Sequence, residues 1–564
     1  MHSISSLCRF VGLLCLSSLL TGCPPSTKKR ATVESTSAPI TTAPHFKEVA
    51  QEAGLDFTWT VGDSKRKSPL NIAETAGGGA AFLDYDNDGN LDILLVGSRT
   101  ALFHQEAGGK FREVTAGSGL NATGMLMGCT VGDVDNDGFS DILITGQGSL
   151  HLYHNLRGTG KFEERTAKAF PNPPSKEAWA TSAGFTDLDH DGNLDLVVCH
   201  YVTFTPETVQ LCEYSSPTGE KIKGACPPLY YKPQTIQVFR NKGGGIFEEK
   251  TTLLPKGHGA NLGLGFADVD GDGKMDFYIA NDGQPGDLYH NLGSWRFENL
   301  STQSGTGYNQ EGREQAGMGV DWGDYDHDGK LDLLVTTFQN EPRSLYHNEG
   351  GGTFAYTSFI TRMGDATRSH LAFGCAFLDA DNDGWLDLLF ANGHVQDTIG
   401  QIRPPATYAQ NLQFFVYRGE GGFYQEATQN AGEAFQKPIV GRALAVGDYD
   451  NDGYPDVLVS DLSGKPLLLH NETPKNQHWI GFQLKSKYQR REAIGTRVIL
   501  TTSEGERVGE VQTCRSYLSA SDPRIRFGLG AQNRPLKIKV KWVGGKETEL
   551  HDLPVDRYIL IEEK

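Results

Sequence analysis

Residues 84–92 read Asp84-Tyr85-Asp86-Asn87-Asp88-Gly89-Asn90-Leu91-Asp92, and this nine-residue stretch decides the fold. Carboxylates at positions 1, 3, 5 and 9 face one point when the chain reverses at position 6, where Gly89 accepts the backbone conformation that a side chain resists. Ca²⁺ takes ~6–8 oxygens at ~2.3–2.6 Å, and four carboxylates plus the carbonyl of position 7 supply most of them. The expected ligands are the side chains of Asp84, Asp86, Asp88 and Asp92 with the carbonyl of Asn90.

The pattern occurs seven times. The second copy offers Asp133, Asp135, Asp137 and Asp141 with the Phe139 carbonyl, and the third Asp187, Asp189, Asp191 and Asp195 with Asn193. The fourth has Asp268, Asp270, Asp272 and Asp276 with Lys274; the fifth, Asp324, Asp326, Asp328 and Asp332 with Lys330. Asp379, Asp381, Asp383 and Asp387 with Trp385, then Asp448, Asp450, Asp452 and Asp456 with Tyr454, complete the set. Only the carbonyl of position 7 faces a metal, so Lys or Trp there is no obstacle. One such motif also reads as a solvated acidic turn, but seven with every Asp in place argue against that. An EF-hand loop would carry a bidentate Glu at position 12. Here that position is Leu95, Ile144, Val198, Ile279, Val335, Phe390 and Val459, the residues of a departing strand. The formal net charge of −18 falls to about −4 once about seven Ca²⁺ ions are counted.

The N-terminal head is short and contains Arg9; an apolar run over residues 10–20 follows, too short to span a bilayer as a helix and suited to a signal peptide. It ends in Leu20-Thr21-Gly22-Cys23, which resembles a bacterial lipobox. Residues 1–22 are therefore expected to be a lipoprotein-type signal and Cys23 the lipid anchor. Residues 23–44, rich in Pro, Ser, Thr, Lys and Ala, read as a flexible tether. The protein is expected to be exported and lipid-anchored at the cell envelope, or secreted if the lipobox is not processed.

Around each acidic loop lies the same sequence of strands. A small-residue segment such as Gly78 to Leu83 precedes it, and an apolar run such as Leu91 to Val96 leaves it. A segment of the form Leu152-Tyr153-His154-Asn155 and an outer strand such as Phe162 to Thr166 complete the unit. Four strands per repeat predict propeller blades. Outer strands follow loops one to six, near Phe111, Phe162, Phe247, Phe297, Phe354 and Phe423; the seventh is supplied from the N-terminus by Phe46 to Ala50. The fold class is all-β: a seven-bladed β-propeller over residues 45–470, its last blade closed by the N-terminal strand, plus a small β domain over 471–564.

Blade topology places all seven acidic loops on one face and the long insertions 200–235, 302–315, 359–370 and 392–413 on the other, where binding usually resides. Tyr201, Tyr230, Tyr231, His200 and His394 are the ligand-binding candidates there, with His258 and His370 beside such connections. The recurring His154, His290 and His347 read as structural. Cys212 and Cys226 are expected to form a disulfide, worth roughly 3 kcal/mol by chain entropy, while Cys129, Cys199 and Cys375 read as buried thiols. Neither Gly-x-Ser-x-Gly nor His-Glu-x-x-His occurs.

Residues 472–564 carry 17 Lys and Arg against 12 Asp and Glu, whereas the rest of the chain is strongly acidic. Opposite signs favour docking of the small domain on the propeller. The basic residues are scattered, so nucleic acid is not an expected partner. The acidic loops resemble FG-GAP or VCBS repeats, which also occur in integrin α-subunit propellers. Ala493-Ile494-Gly495-Thr496-Arg497, Gly528-Leu529-Gly530 and Val540-Lys541-Trp542 resemble the ASPIC/UnbV domain, a combination also seen in animal cartilage acidic protein. The family usually has Trp-Pro-x-Gly where this chain has Trp542-Val543-Gly544-Gly545. The resemblance implies a Ca²⁺-binding surface or extracellular protein. The expected function is a calcium-stabilised binding or adhesion scaffold for a protein or glycan. The alternative is an exported enzyme acting on polysaccharide or sulfated substrates through the face opposite the calcium ring.

Overall fold

The computed structural model describes residues 43–564 apart from 60–68, 173–174, 488–491, 504 and 536. The expected signal, the expected anchor Cys23 and nearly all of the expected tether lie outside the described residues. Blade 1 runs Gly79–Leu83, Asp92–Val96, Thr100–Glu106 and Lys110–Glu113, all antiparallel. Its two inner strands are wholly buried, as near-continuous small and aliphatic residues dictate; the outermost strand keeps Phe111 buried and turns Lys110, Arg112 and Glu113 to solvent. The same order repeats around the ring. In blade 7, Phe46–Glu48 pairs with Leu467–Asn471 in the register Phe46↔Asn471 and Glu48↔Leu469. The N-terminal strand thus closes the last blade, and the sheet edge there is covered as the sequence predicts.

The C-terminal segment forms two sheets. His478–Lys485 lies between Ile525–Gly530 and Tyr558–Glu562; Arg497–Thr502 lies between Gly505–Glu510 and Lys537–Lys541, with Glu547–Leu550 at the edge. Ile480, Phe482, Val498, Leu500, Ile538 and Val540 are fully buried between them. This unit rests on the face that carries the acidic loops. Arg497 donates to the carbonyls of Asp268 and Gly329, Arg524 to that of Asp448, and Ser140 to Glu492.

One part of it does more than dock. A hairpin of Cys514–Arg515 and Ser519–Ala520 adds to the innermost strand of blade 1, Ala80↔Ser519 and Ala81↔Ala520 in parallel. It also bonds the inner strand of every other blade. Thr513 donates to the Val131 carbonyl, Leu518 N–H to Ser182 Oγ, and the Cys514 thiol to the Leu264 carbonyl. Val320 N–H donates to the Ser516 carbonyl at 2.9 Å, Cys375 N–H to Ser516 Oγ at 3.0 Å and Leu444 N–H to Ser519 Oγ at 3.1 Å. The hairpin therefore plugs the axial channel. Glycine in the inner strands makes room: a Cβ on Gly184 would stand 2.8 Å from that of Cys514. Among the described residues no helix is long and apolar enough to cross a membrane.

Candidate metal centres and the opposite face

Each acidic loop is held in shape by its own backbone. In the first, Asp84 accepts from Asp88 N–H and Gly89 N–H, both at 3.2 Å, and Asp88 Oδ1 accepts from Asn90 N–H at 2.8 Å. Asp92, the first residue of the departing strand, accepts from Tyr85 N–H through Oδ2 and from Gln105 N–H through Oδ1. Equivalent bonds fix Asp141, Asp195, Asp276, Asp332, Asp387 and Asp456. These backbone bonds turn the carboxylates of each loop toward one point. Several oxygens remain without a partner: Asp86, Asp135 and Asp189 at position 3, and Asp324 and Asp379 at position 1, each keep a buried Oδ1 that accepts nothing. Burial, with neighbouring carboxylates adding to it, pushes Asp324 up to about 8, and burial likewise raises Asp92 to about 8 and Asp187 to about 7. Desolvated, orphaned acceptors of like charge fit a hard cation. Groups such as Asp84, Asp86 and Asp92 bring ligand atoms within 4.8 Å of one another.

The recurring histidines contact these sites. Nδ1 of His104, His154, His290, His347 and His470 lies 3.0–3.2 Å from the position-9 carboxylate of its blade. His154 and His347 also approach the position-3 carboxylate at 3.2 Å. Blade 3 substitutes Arg240, whose guanidinium is ion-paired with Asp189 at 2.8 Å and donates to Asp191 at 3.0 Å. Periodicity in the sequence marks these positions as structural without indicating that they meet the acidic loops. A second set of contacts carries no sequence signal that points to it. The position-4 residues Asn87, Asn136, His327, Asn382 and Asn451 each reach the position-6 glycine carbonyl of the next loop, at 2.9–3.3 Å. The last of these joins loop seven to loop one.

On the opposite face the insertions of blades 3 and 6 meet over the axis. The hairpin Leu211–Ser215/Lys221–Ala225 is clamped by the Cys212–Cys226 disulfide. Gln396 of the blade 6 insertion accepts from Ala225 N–H at 2.9 Å and donates to the Ala225 carbonyl and Tyr214 Oη. Beneath this arch is a cavity of about 340 Å³. Tyr201 and His394 line it; Tyr201 Oη donates to Asp282 at 2.5 Å. Tyr230 is 58% exposed on the neighbouring Pro228–Tyr230 turn, while Tyr231 is buried against Phe204. His200 is buried at a strand end beside Gln237, away from the cavity lining, and burial pushes it down to about 4. The two sequence candidates His258 and His370 do not line the cavity either; His258 is paired with Asp287 at 2.6 Å. Cys129, Cys199, Cys375 and Cys514 are buried thiols.

The same repeat unit occurs in known proteins. The FG-GAP-like repeat model matches residues 84–144, 133–198, 229–279 and 268–335, and an FG-GAP repeat model matches 440–461. The ASPIC and UnbV model matches residues 486–564. The chain is an FG-GAP-repeat protein with a C-terminal ASPIC/UnbV domain. Three of the FG-GAP-like matches run from the first Asp of one acidic loop to three residues beyond the next, and the fourth, 229–279, ends three residues beyond the fourth loop. Cartilage acidic protein 1 of Xenopus tropicalis is 22% identical over 500 residues, 83% of this chain and 70% of that protein. Its Mus musculus counterpart is 25% identical over 291 residues, 51% of this chain and 42% of that protein. Similar solved structures include an Agrocybe aegerita lectin that recognises non-reducing terminal N-acetylglucosamine, with 15% identity, a TM-score of 0.38 and coverage of 62% and 79% of the two chains. Another is Saccharomyces cerevisiae Sqt1, with 10% identity, a TM-score of 0.40 and coverage of 70% and 96%.

Proposed function

We propose that this FG-GAP-repeat protein is an exported, calcium-stabilised binding scaffold, anchored at the cell envelope through Cys23, which takes a protein or glycan partner on the face opposite the acidic loops. The observation that carries the reading is the unequal construction of the two faces. One consists of short, near-identical carboxylate loops over which the C-terminal domain sits; the other carries long insertions, an arch and exposed Leu229 and Tyr230. Seven loops take about seven Ca²⁺ ions. In each, four carboxylates and a carbonyl leave little room for a substrate, whereas a catalytic metal keeps an open position. The ions would therefore hold the scaffold while the other face binds.

The test is capture of envelope proteins and arrayed glycans by the Ca²⁺-loaded protein and by Leu229→Ser/Tyr230→Ala. These two side chains are exposed, so the variant should lose capture and keep its calcium. Tyr231 is part of the core and is left intact. Turnover of a polysaccharide or sulfate ester by the purified protein, lost on substitution in the cavity, would replace the scaffold by the enzyme.

A further inference from the structure

The cavity under the arch is walled by Leu262, Met318, Phe338, Phe373, Ile399 and Ile402. Phe373 rests on Tyr517 at the tip of the axial plug, with ring centroids 4.8 Å apart, so the plug forms part of the cavity floor. Into these apolar walls project two carboxylates. Asp282 accepts from Tyr201 Oη, and Glu341 accepts from Ala316 N–H at 3.0 Å. Among the described residues, no Lys, Arg or His lies within ion-pair distance of either; Arg403 is exposed, and the buried Arg343, whose charge acts on Glu341 from beyond that distance, spends its Nη donors on the carbonyls of Thr337 and His370. His394 accepts from Gln396 N–H through Nδ1 at 2.9 Å, which leaves its proton on Nε2. Burial pushes His394 down to about 3, so it is neutral and supplies no counter-charge.

Two half-buried carboxylates against apolar walls and without an ion-pair partner are costly, and burial raises Asp282 to about 6 and Glu341 to about 7, the latter against the opposing charge of Arg343. A metal ion is a poor match because the remaining walls are carbon and cannot complete a shell of ~6–8 oxygens. An anion would be repelled. A neutral apolar molecule would fill the space and leave the carboxylates desolvated. An ammonium group on an apolar body satisfies both halves of the cavity, its charge at the carboxylates and its carbon among the apolar walls.

We propose that this cavity is a binding site for an organic ammonium, its charge held by Asp282 and Glu341 and its carbon skeleton packed among Met318, Phe338, Phe373 and Ile399. The proposal rests on reading this as the binding face and names the chemistry of a small-molecule or side-chain ligand there. A lysine side chain of a partner protein and a free aliphatic amine share that chemistry.

The experiment is calorimetric titration of the Ca²⁺-loaded full chain with octylammonium, octanol and octanoate, which share a chain and differ in charge. Octylammonium is expected to bind at least about tenfold more tightly than octanol, and octanoate not to bind. Asp282→Asn with Glu341→Gln should remove that preference and leave octanol binding intact. Met318→Trp, which fills the cavity, should abolish binding of both. Calcium content equal to the wild type's certifies the fold of each variant, and the single carboxylate variants are read if the double one does not fold. Equal affinity for octylammonium and octanol, a preference that survives in the carboxylate variants, or no binding of any probe overturns the proposal. An acetylated against an unmodified lysine peptide separates the two sources of the amine. Partner capture that persists while no probe binds sinks this inference alone, whereas amine binding without any capture sinks the scaffold reading alone.

Discussion

Asn87, Asn136, Asn382 and Asn451 adopt positive φ near 60°, a conformation that Asn tolerates better than most residues, and so turn their amides sideways onto the next loop. The same loops hold the orphaned carboxylates, so shape and charge are set by neighbouring positions. Asp86→Ala removes one ligand and leaves the other six loops intact; metal analysis should show a loss of one Ca²⁺ and a melting point lower by a few degrees. Loss of several ions together would mean that the amide links couple the sites. A second residue-scale prediction concerns pH. Burial, helped by the like charge of Asp282, raises Glu341 from 4.5 to about 7. The folded protein thus retains a proton that the unfolded chain releases, so stability is full below about pH 4.5 and declines as pH rises to about 7. Glu341→Gln should remove this slope. Relative to pH 5, it should gain about 1–3 kcal/mol over the wild type at pH 8 in denaturant titrations.

The acidic loops, the strand order, the closing strand at Phe46 and the Cys212–Cys226 pairing were legible because each has a local signature: a spacing, an alternation, a missing partner. The axial plug has none. Residues 511–521 look like any small-domain strand, and their partners lie as far as 441 positions away. Its chemistry is visible only in three dimensions, where Arg515 bonds Asp321 through Nε at 2.7 Å and Nη2 at 2.8 Å. Removing one member of a buried pair strands the other's charge. Arg515→Ala should therefore cost ~3–5 kcal/mol, read as a fall in melting temperature, and Arg515→Ala/Asp321→Ala should recover part of it. Likewise, Tyr201 and His394 could be placed on the insertion face by topology, but Asp282 and Glu341 come from ordinary blade connections. Nothing in their sequence context marks them, and only the cavity brings all four together.

At the scale of the whole molecule, a ring of blades is joined at three levels: the closing strand, the amide links between acidic loops and the plug along the axis. Carboxylates concentrated on one face oppose this assembly until they are neutralised, partly by Arg497 and Arg524 from the C-terminal domain and, if the loops bind as proposed, mainly by calcium. Chelation should lower the melting temperature markedly, since a ligand that binds only the folded state stabilises it. The most direct test is the number of ions. Metal analysis of the purified protein after equilibration in millimolar Ca²⁺ should find about seven per chain, one for each acidic loop; two or fewer would contradict a calcium-stabilised ring.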